Sequence, residues 1–313
     1  MKLAIVFPGQ ASQSVGMMHQ YDGLPKIRET FDEASEIFGT DLWTLVAEGP
    51  AEKLHLTTYT QPVMLVAGVA VYRAWQALGG PAPALLAGHS LGEYSALVAS
   101  GALRFEDAVP LVRHRAEAMQ AAVPEGLGGM AAILGLADDA VLKICEETAQ
   151  GEVLEAANFN AQAQVVIAGH NGALHRGIDL AKSRGAKRGL MLPMSVPCHC
   201  SLMRPAAGSL TEFLAGITLA VPSVPVVHNA DVATHADPTA IKDALARQLY
   251  SPVRWVDTIR YLVGEGVTHL MECGPGKVLA GISKRTAGAV PFYALADASQ
   301  VKEALAALQK VRS

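Results

Sequence analysis

The chain has 313 residues, half of them hydrophobic and only 17% charged, so most of it must pack rather than stay solvated. That length exceeds one small core and predicts a main domain with a second lobe. A formal net charge of −4 argues against a generic nucleic-acid binder, which needs a basic surface to track phosphates.

The first apolar run, Leu3–Phe7, is too short for the core of a secretion signal and reads as a buried strand stopped by Pro8-Gly9. A long apolar helix is expected from Gln61 to Leu78. Its longest apolar stretch, Val63–Val71, is too short to span a bilayer and is followed by Arg73. Ala84–Ala87 then reads as a short strand, and Gly88-His89-Ser90-Leu91-Gly92 turns it into a helix from Glu93 to Ser100. A further helix is expected over Glu106–Ala122. Short continuous apolar runs separated by helices predict a parallel sheet covered on both faces.

The pattern changes from about residue 126 to 195. Strands are expected at Met130–Leu134, Val153–Ala157, Gln164–Ala168 and Arg188–Leu192, with helices at Asp138–Ala149 and Asn171–Arg184. The order β-α-β-β-α-β is that of a ferredoxin-like unit. The parallel sheet then resumes at Val224–Val227 and Thr268–Glu272. The expected fold class is therefore α/β: a parallel-sheet, hydrolase-like core domain (residues 1–125 and 196–313) with an inserted ferredoxin-like small lobe (residues 126–195). A ligand cleft is expected between them.

The chemistry-bearing residues cluster around that cleft. Gly88-His89-Ser90-Leu91-Gly92 fits a Gly-x-Ser-x-Gly turn, in which a serine hydroxyl stands exposed at a helix N-terminus. The N–H of Leu91 would point at a developing oxyanion. A serine needs a base, and ten histidines are available. His199 lies in a loop bounded by Pro197, where the chain re-enters the core domain, while His89 is too close in sequence to reach Ser90 easily. Arg115 falls on the apolar stripe Ala108, Leu111, Val112, Met119. A guanidinium there requires an anion, either an internal Asp or Glu or the carboxylate of a substrate. Pro8-Gly9-Gln10 ends the first strand, where open α/β sheets bind ligands. Asn158-Phe159-Asn160 joins two lobe strands, its amides either stabilising a turn or facing the cleft. Cys145, Cys198, Cys200 and Cys273 are expected as free thiols in a reducing, cytoplasmic compartment. Cys198-His199-Cys200 lacks the spacing of a zinc site.

These blocks, with Tyr59-Thr60-Gln61-Pro62, Gln248-Leu249-Tyr250-Ser251-Pro252-Val253 and Glu272-Cys273-Gly274-Pro275-Gly276, closely resemble the malonyl-CoA:acyl carrier protein transacylases of bacterial fatty-acid synthesis. The resemblance runs almost end to end. It implies a Ser90–His199 dyad whose histidine is oriented by a backbone carbonyl near Gln248. It further implies an oxyanion hole from the Gln10 and Leu91 amides, and Arg115 gripping the malonyl carboxylate. It implies malonyl-CoA and a holo acyl carrier protein as partners, no cofactor of the enzyme's own, no nucleic acid or membrane, and a cytoplasmic monomer. Such carrier proteins are acidic, which makes Lys284-Arg285 and Lys187-Arg188 the candidate docking residues. One position departs from the family's pattern: Ala11 stands where a glycine is usual. Two other readings of the residues stay open at this level, a serine hydrolase and a non-catalytic subunit of a larger synthase.

Overall fold

The computed structural model describes residues 1–194 and 196–312; Ser195, at the expected exit from the lobe, and the terminal Ser313 lie outside the described residues. The chain forms β1 (Leu3–Phe7) and β2 (Leu85–Gly88), then four lobe strands, β3 (Gly128–Leu134), β4 (Leu154–Ala161), β5 (Gln164–His170) and β6 (Arg188–Met191). It returns through β7 (Val226–Val227), β8 (His269–Glu272) and β9 (Phe292–Ala294). The main sheet has the order β7-β2-β1-β8-β9 and every pair in it is parallel. Such strands carry no polar face, and β1 and β2 are accordingly buried at every position. Phe7 and Gly88 pair at the C-terminal ends of β1 and β2, so the loop after β1 lies beside the Ser90 turn.

The lobe sheet has the order β4-β5-β3-β6, antiparallel throughout, as a ferredoxin-like unit requires. Ala131, Ile133, Val165 and Ile167 pack in one cluster with residues of helices Asp138–Ala149 and Asn171–Ser183. Met130 and Val166, on the alternate face, look into the space between lobe and core. β4 runs four residues past its expected end, so Asn158-Phe159-Asn160 lies inside a strand rather than in a connection. The extension has a partner far along the chain: Val253 N–H donates to the Ala157 carbonyl at 2.8 Å, and Phe159 N–H to the Val253 carbonyl at 2.9 Å. Backbone hydrogen bonds thus fasten the lobe to the core.

Helix Phe105–Ala122 buries Ala108, Leu111, Val112, Arg115 and Met119 on one face. Arg113 pairs with Glu117 on the outside, whereas His114 stacks on Phe213 at 4.4 Å instead of facing solvent. Among the described residues no helix is long and apolar enough to cross a membrane.

Candidate active site

The serine turn is shaped by sterics. A Cβ on Gly88 would lie 1.9 Å from the carbonyl carbon of Gly92, and one on Gly92 would lie 2.0 Å from the Phe7 oxygen. Strand and helix therefore cross at a separation only glycine permits. Between them Ser90 is held at φ 52°, a left-handed conformation costing an L-residue about 1–2 kcal/mol. Both of its backbone polar groups are tied down. Its N–H donates to Asn229 Oδ1 at 2.7 Å, and its carbonyl accepts from Gln248 Nε2 at 3.0 Å. Asn229 in turn donates to the Gly88 carbonyl at 2.7 Å.

Ser90 Oγ lies 2.7 Å from His199 Nε2, and His199 Nδ1 lies 2.8 Å from the Gln248 carbonyl oxygen. That carbonyl can only accept, so Nδ1 carries the proton and Nε2 offers its lone pair to the hydroxyl. Burial, and then the nearby Arg115 charge, push His199 down to about 3, so the imidazole is neutral at physiological pH. A neutral ring hydrogen-bonded to a half-buried hydroxyl at the cleft is the ground state of general-base catalysis. Cys198 also lines the cleft, but burial raises its thiol to about 11, leaving it protonated and a poor nucleophile. His89 points away from the serine: its Nε2–H donates to Asn160 Oδ1 at 2.8 Å, and its ring packs on Trp255. It joins core to lobe.

Arg115 is 1% exposed. It donates to Gln61 Oε1 at 2.5 Å, to Gln248 Oε1 at 3.0 Å and to Ser90 Oγ at 3.3 Å, and its Nε has no partner among the described residues. Its guanidinium lies over the Tyr94 ring, 5.4 Å from the centroid. Among the described residues no Asp or Glu forms an ion pair with it, so the internal-carboxylate alternative is not what this site contains. A buried cation held only by neutral oxygens leaves charge to be matched by a bound anion. Gln61, Asn229 and Glu93 were given no role from sequence. Gln61 and Glu93 stood inside recognisable blocks, but Asn229 carried no local signal.

Gln10 lines the cleft, and Leu91 opens the helix behind Ser90. Neither backbone N–H meets a protein acceptor among the described residues. Lys284 and Arg285 are exposed at the end of helix Val278–Ala287. They border a groove with Gln162 and Gln164, which adjoins the serine cleft at Gln164 and Ile282. Lys187 and Arg188 are exposed where β6 begins, at the lobe edge opposite β4, so the two basic clusters are separate surfaces.

The acyl transferase domain family matches residues 4–307. A malonyl CoA-acyl carrier protein transacylase of Salmonella typhimurium is 53% identical over 305 residues, covering 97% of this chain and 99% of the relative. The chain belongs to the malonyl CoA-acyl carrier protein transacylase family. A solved acyl-carrier-protein S-malonyltransferase of Burkholderia pseudomallei superposes with a TM-score of 0.96 at 56% identity, covering 98% of this chain and all of that one. A malonyl-transacylase solved in complex with a type II PKS acyl-carrier protein superposes at 0.97 with 47% identity, again over 98% and 100% of the two chains.

At Ala11, where the resemblance to these transacylases leads one to expect glycine, the position does need a left-handed backbone: Ala11 sits at φ 81°. Its N–H is held by Gln13 Oε1 at 2.8 Å. Ala11→Gly is expected to stabilise the fold by about 0.5–1 kcal/mol, the relief of the strained φ outweighing the added freedom of the unfolded chain. Urea denaturation checks this, and a lower midpoint for the glycine variant would show that the loop bears no strain.

Proposed function

We propose that this chain transfers the malonyl group of malonyl-CoA to the phosphopantetheine thiol of an acyl carrier protein through a malonyl-Ser90 ester. The observation that carries the reading is Arg115, a buried guanidinium without a carboxylate partner among the described residues, 3.3 Å from the Ser90 hydroxyl. An acyl group attached to Ser90 and ending in a carboxylate reaches it with a charge-assisted, two-pronged hydrogen bond. His199 takes the Ser90 proton as the hydroxyl attacks the thioester, and the Gln10 and Leu91 amides receive the oxyanion. The proton passes to the departing sulfur, so coenzyme A leaves as a thiol. The carrier's thiol then gives its proton to His199 and attacks the ester, and His199 returns that proton to Ser90 Oγ as the acyl–oxygen bond breaks, in ping-pong order. Exchange between thioester and oxyester balances without redox or metal chemistry, so the reading calls for no cofactor. It places the protein in the cytoplasm, in keeping with its four free, buried cysteines, and takes it to act as a monomer. A hydrolase built on the same serine gains nothing from a buried arginine. The test is intact-mass analysis: malonyl-CoA should add one malonyl group, and a holo carrier protein should remove it.

The carrier is proposed to dock on Lys284 and Arg285, whose groove adjoins the cleft, with Lys187 and Arg188 as a second contact. A chain of net charge −4 needs such local basic surface to attract an acidic partner. Reversing Lys284 and Arg285 to Glu is expected to raise the Michaelis constant for holo carrier protein roughly tenfold at low salt. It should leave malonyl-CoA acylation of Ser90 unchanged. The difference should shrink as salt rises. Wild-type carrier kinetics at low salt would move the docking site to Lys187-Arg188.

A further inference from the structure

Glu93 is fully buried, and the chemistry above gives it no task. It stands in the first turn of helix Gly92–Ala99 and receives three hydrogen bonds. His228 Nδ1–H donates to Oε1 at 2.7 Å, while Asn229 N–H and Gln248 Nε2–H donate to Oε2 at 2.9 and 2.8 Å. Gln248 Nε2 also donates to the Ser90 carbonyl. Both acceptors of Nε2 are groups that cannot donate, so the amide has one permitted orientation. Its oxygen must then lie on the other side, where it accepts from Arg115 at 3.0 Å. A flipped amide would set an NH2 group against the guanidinium. The carboxylate is also one amide removed from Arg115, so it organises the cation's surroundings without pairing with it.

We infer that Glu93 is a positioning residue for malonyl selectivity: through Gln248 it aims a neutral oxygen at Arg115 and keeps that cation free for an incoming carboxylate. The inference rests on the malonyl-transfer reading of the site. Glu93→Gln replaces a group with only acceptors by one offering a single oxygen and an NH2 to three donors, which removes the constraint on Gln248.

The experiment measures kcat/KM for Ser90 acylation by malonyl-CoA and by acetyl-CoA in wild type, E93Q, E93D, R115A and the E93Q/R115A double variant. The malonyl-to-acetyl ratio is expected to fall about tenfold in E93Q, the scale of one hydrogen bond to a charged group. E93D, whose carboxylate is withdrawn by one methylene, should fall between E93Q and wild type. E93Q should not lower the ratio further once Arg115 is gone. Equal losses for both thioesters in E93Q would make Glu93 a support of the fold alone and overturn the inference. If E93Q does not fold, E93D decides, and a wild-type ratio there overturns it. A ratio unchanged in R115A would instead remove the malonyl reading of Arg115, a failure distinguishable from that of Glu93.

Discussion

Ser90→Ala is expected to abolish covalent malonylation while leaving the protein folded. The hydroxyl is the only part of the residue that faces the reaction, and the backbone ties to Asn229 and Gln248 do not depend on it. Alanine must still adopt the left-handed backbone at this turn, so that cost persists unchanged. The loss leaves His199 Nε2 and one N–H of Arg115, both on buried side chains, without the hydroxyl as partner. Stability should therefore fall by about 1–3 kcal/mol, which leaves the fold in place. The measurement is intact mass after malonyl-CoA, beside a denaturation curve. Persistent labelling of the alanine variant would show that another residue is the nucleophile.

Arg115→Ala is expected to cut malonyl transfer by about 2–3 kcal/mol, roughly 30- to 160-fold in kcat/KM, the worth of charge-assisted hydrogen bonds to a carboxylate. Acetyl transfer should fall less or improve, because an uncharged acyl group gains nothing from the guanidinium. Removing the cation also takes away its pull on His199, whose basicity should rise towards that of an ordinary imidazole. That change touches both substrates alike, so the malonyl-to-acetyl ratio isolates the carboxylate contact. Equal losses for the two thioesters would make Arg115 a structural residue.

What sequence could show follows from the range of each interaction. Leu3–Phe7 and Leu85–Gly88 are buried on both faces, so they appear as unbroken apolar runs, and the Gly-Ser-Gly turn after the second is local. Arg115 was visible as a cation interrupting an apolar stripe. The choice of His199 among ten histidines is not local: it depends on the Gln248 and Leu249 carbonyls brought to it by the fold, and its place in a Pro-bounded loop at the re-entry to the core makes it a candidate that only family resemblance selects. Asn229 reaches Ser90 from beyond β7 and leaves no trace in its own neighbourhood, while Gln61 reaches Arg115 from another helix, a contact that its own sequence block does not reveal. The extension of β4 depends on Val253 as its partner, and β9 has three residues, too few to show a pattern.

Both members of the dyad stand in left-handed backbone, Ser90 at φ 52° and His199 at φ 63°. Glycine adopts such angles without steric penalty, so folding by itself gives no reason for a side chain at either place. On the proposed mechanism the hydroxyl and the imidazole persist there because the reaction uses them, against a native-state cost of about 1–2 kcal/mol for each. A lineage that kept this architecture for another purpose would feel selection at these two sites relax first, with glycine as the replacement least opposed by the backbone. Loss of chemistry in such a descendant should therefore be written at positions 90 and 199 while the apolar strands beneath them remain intact.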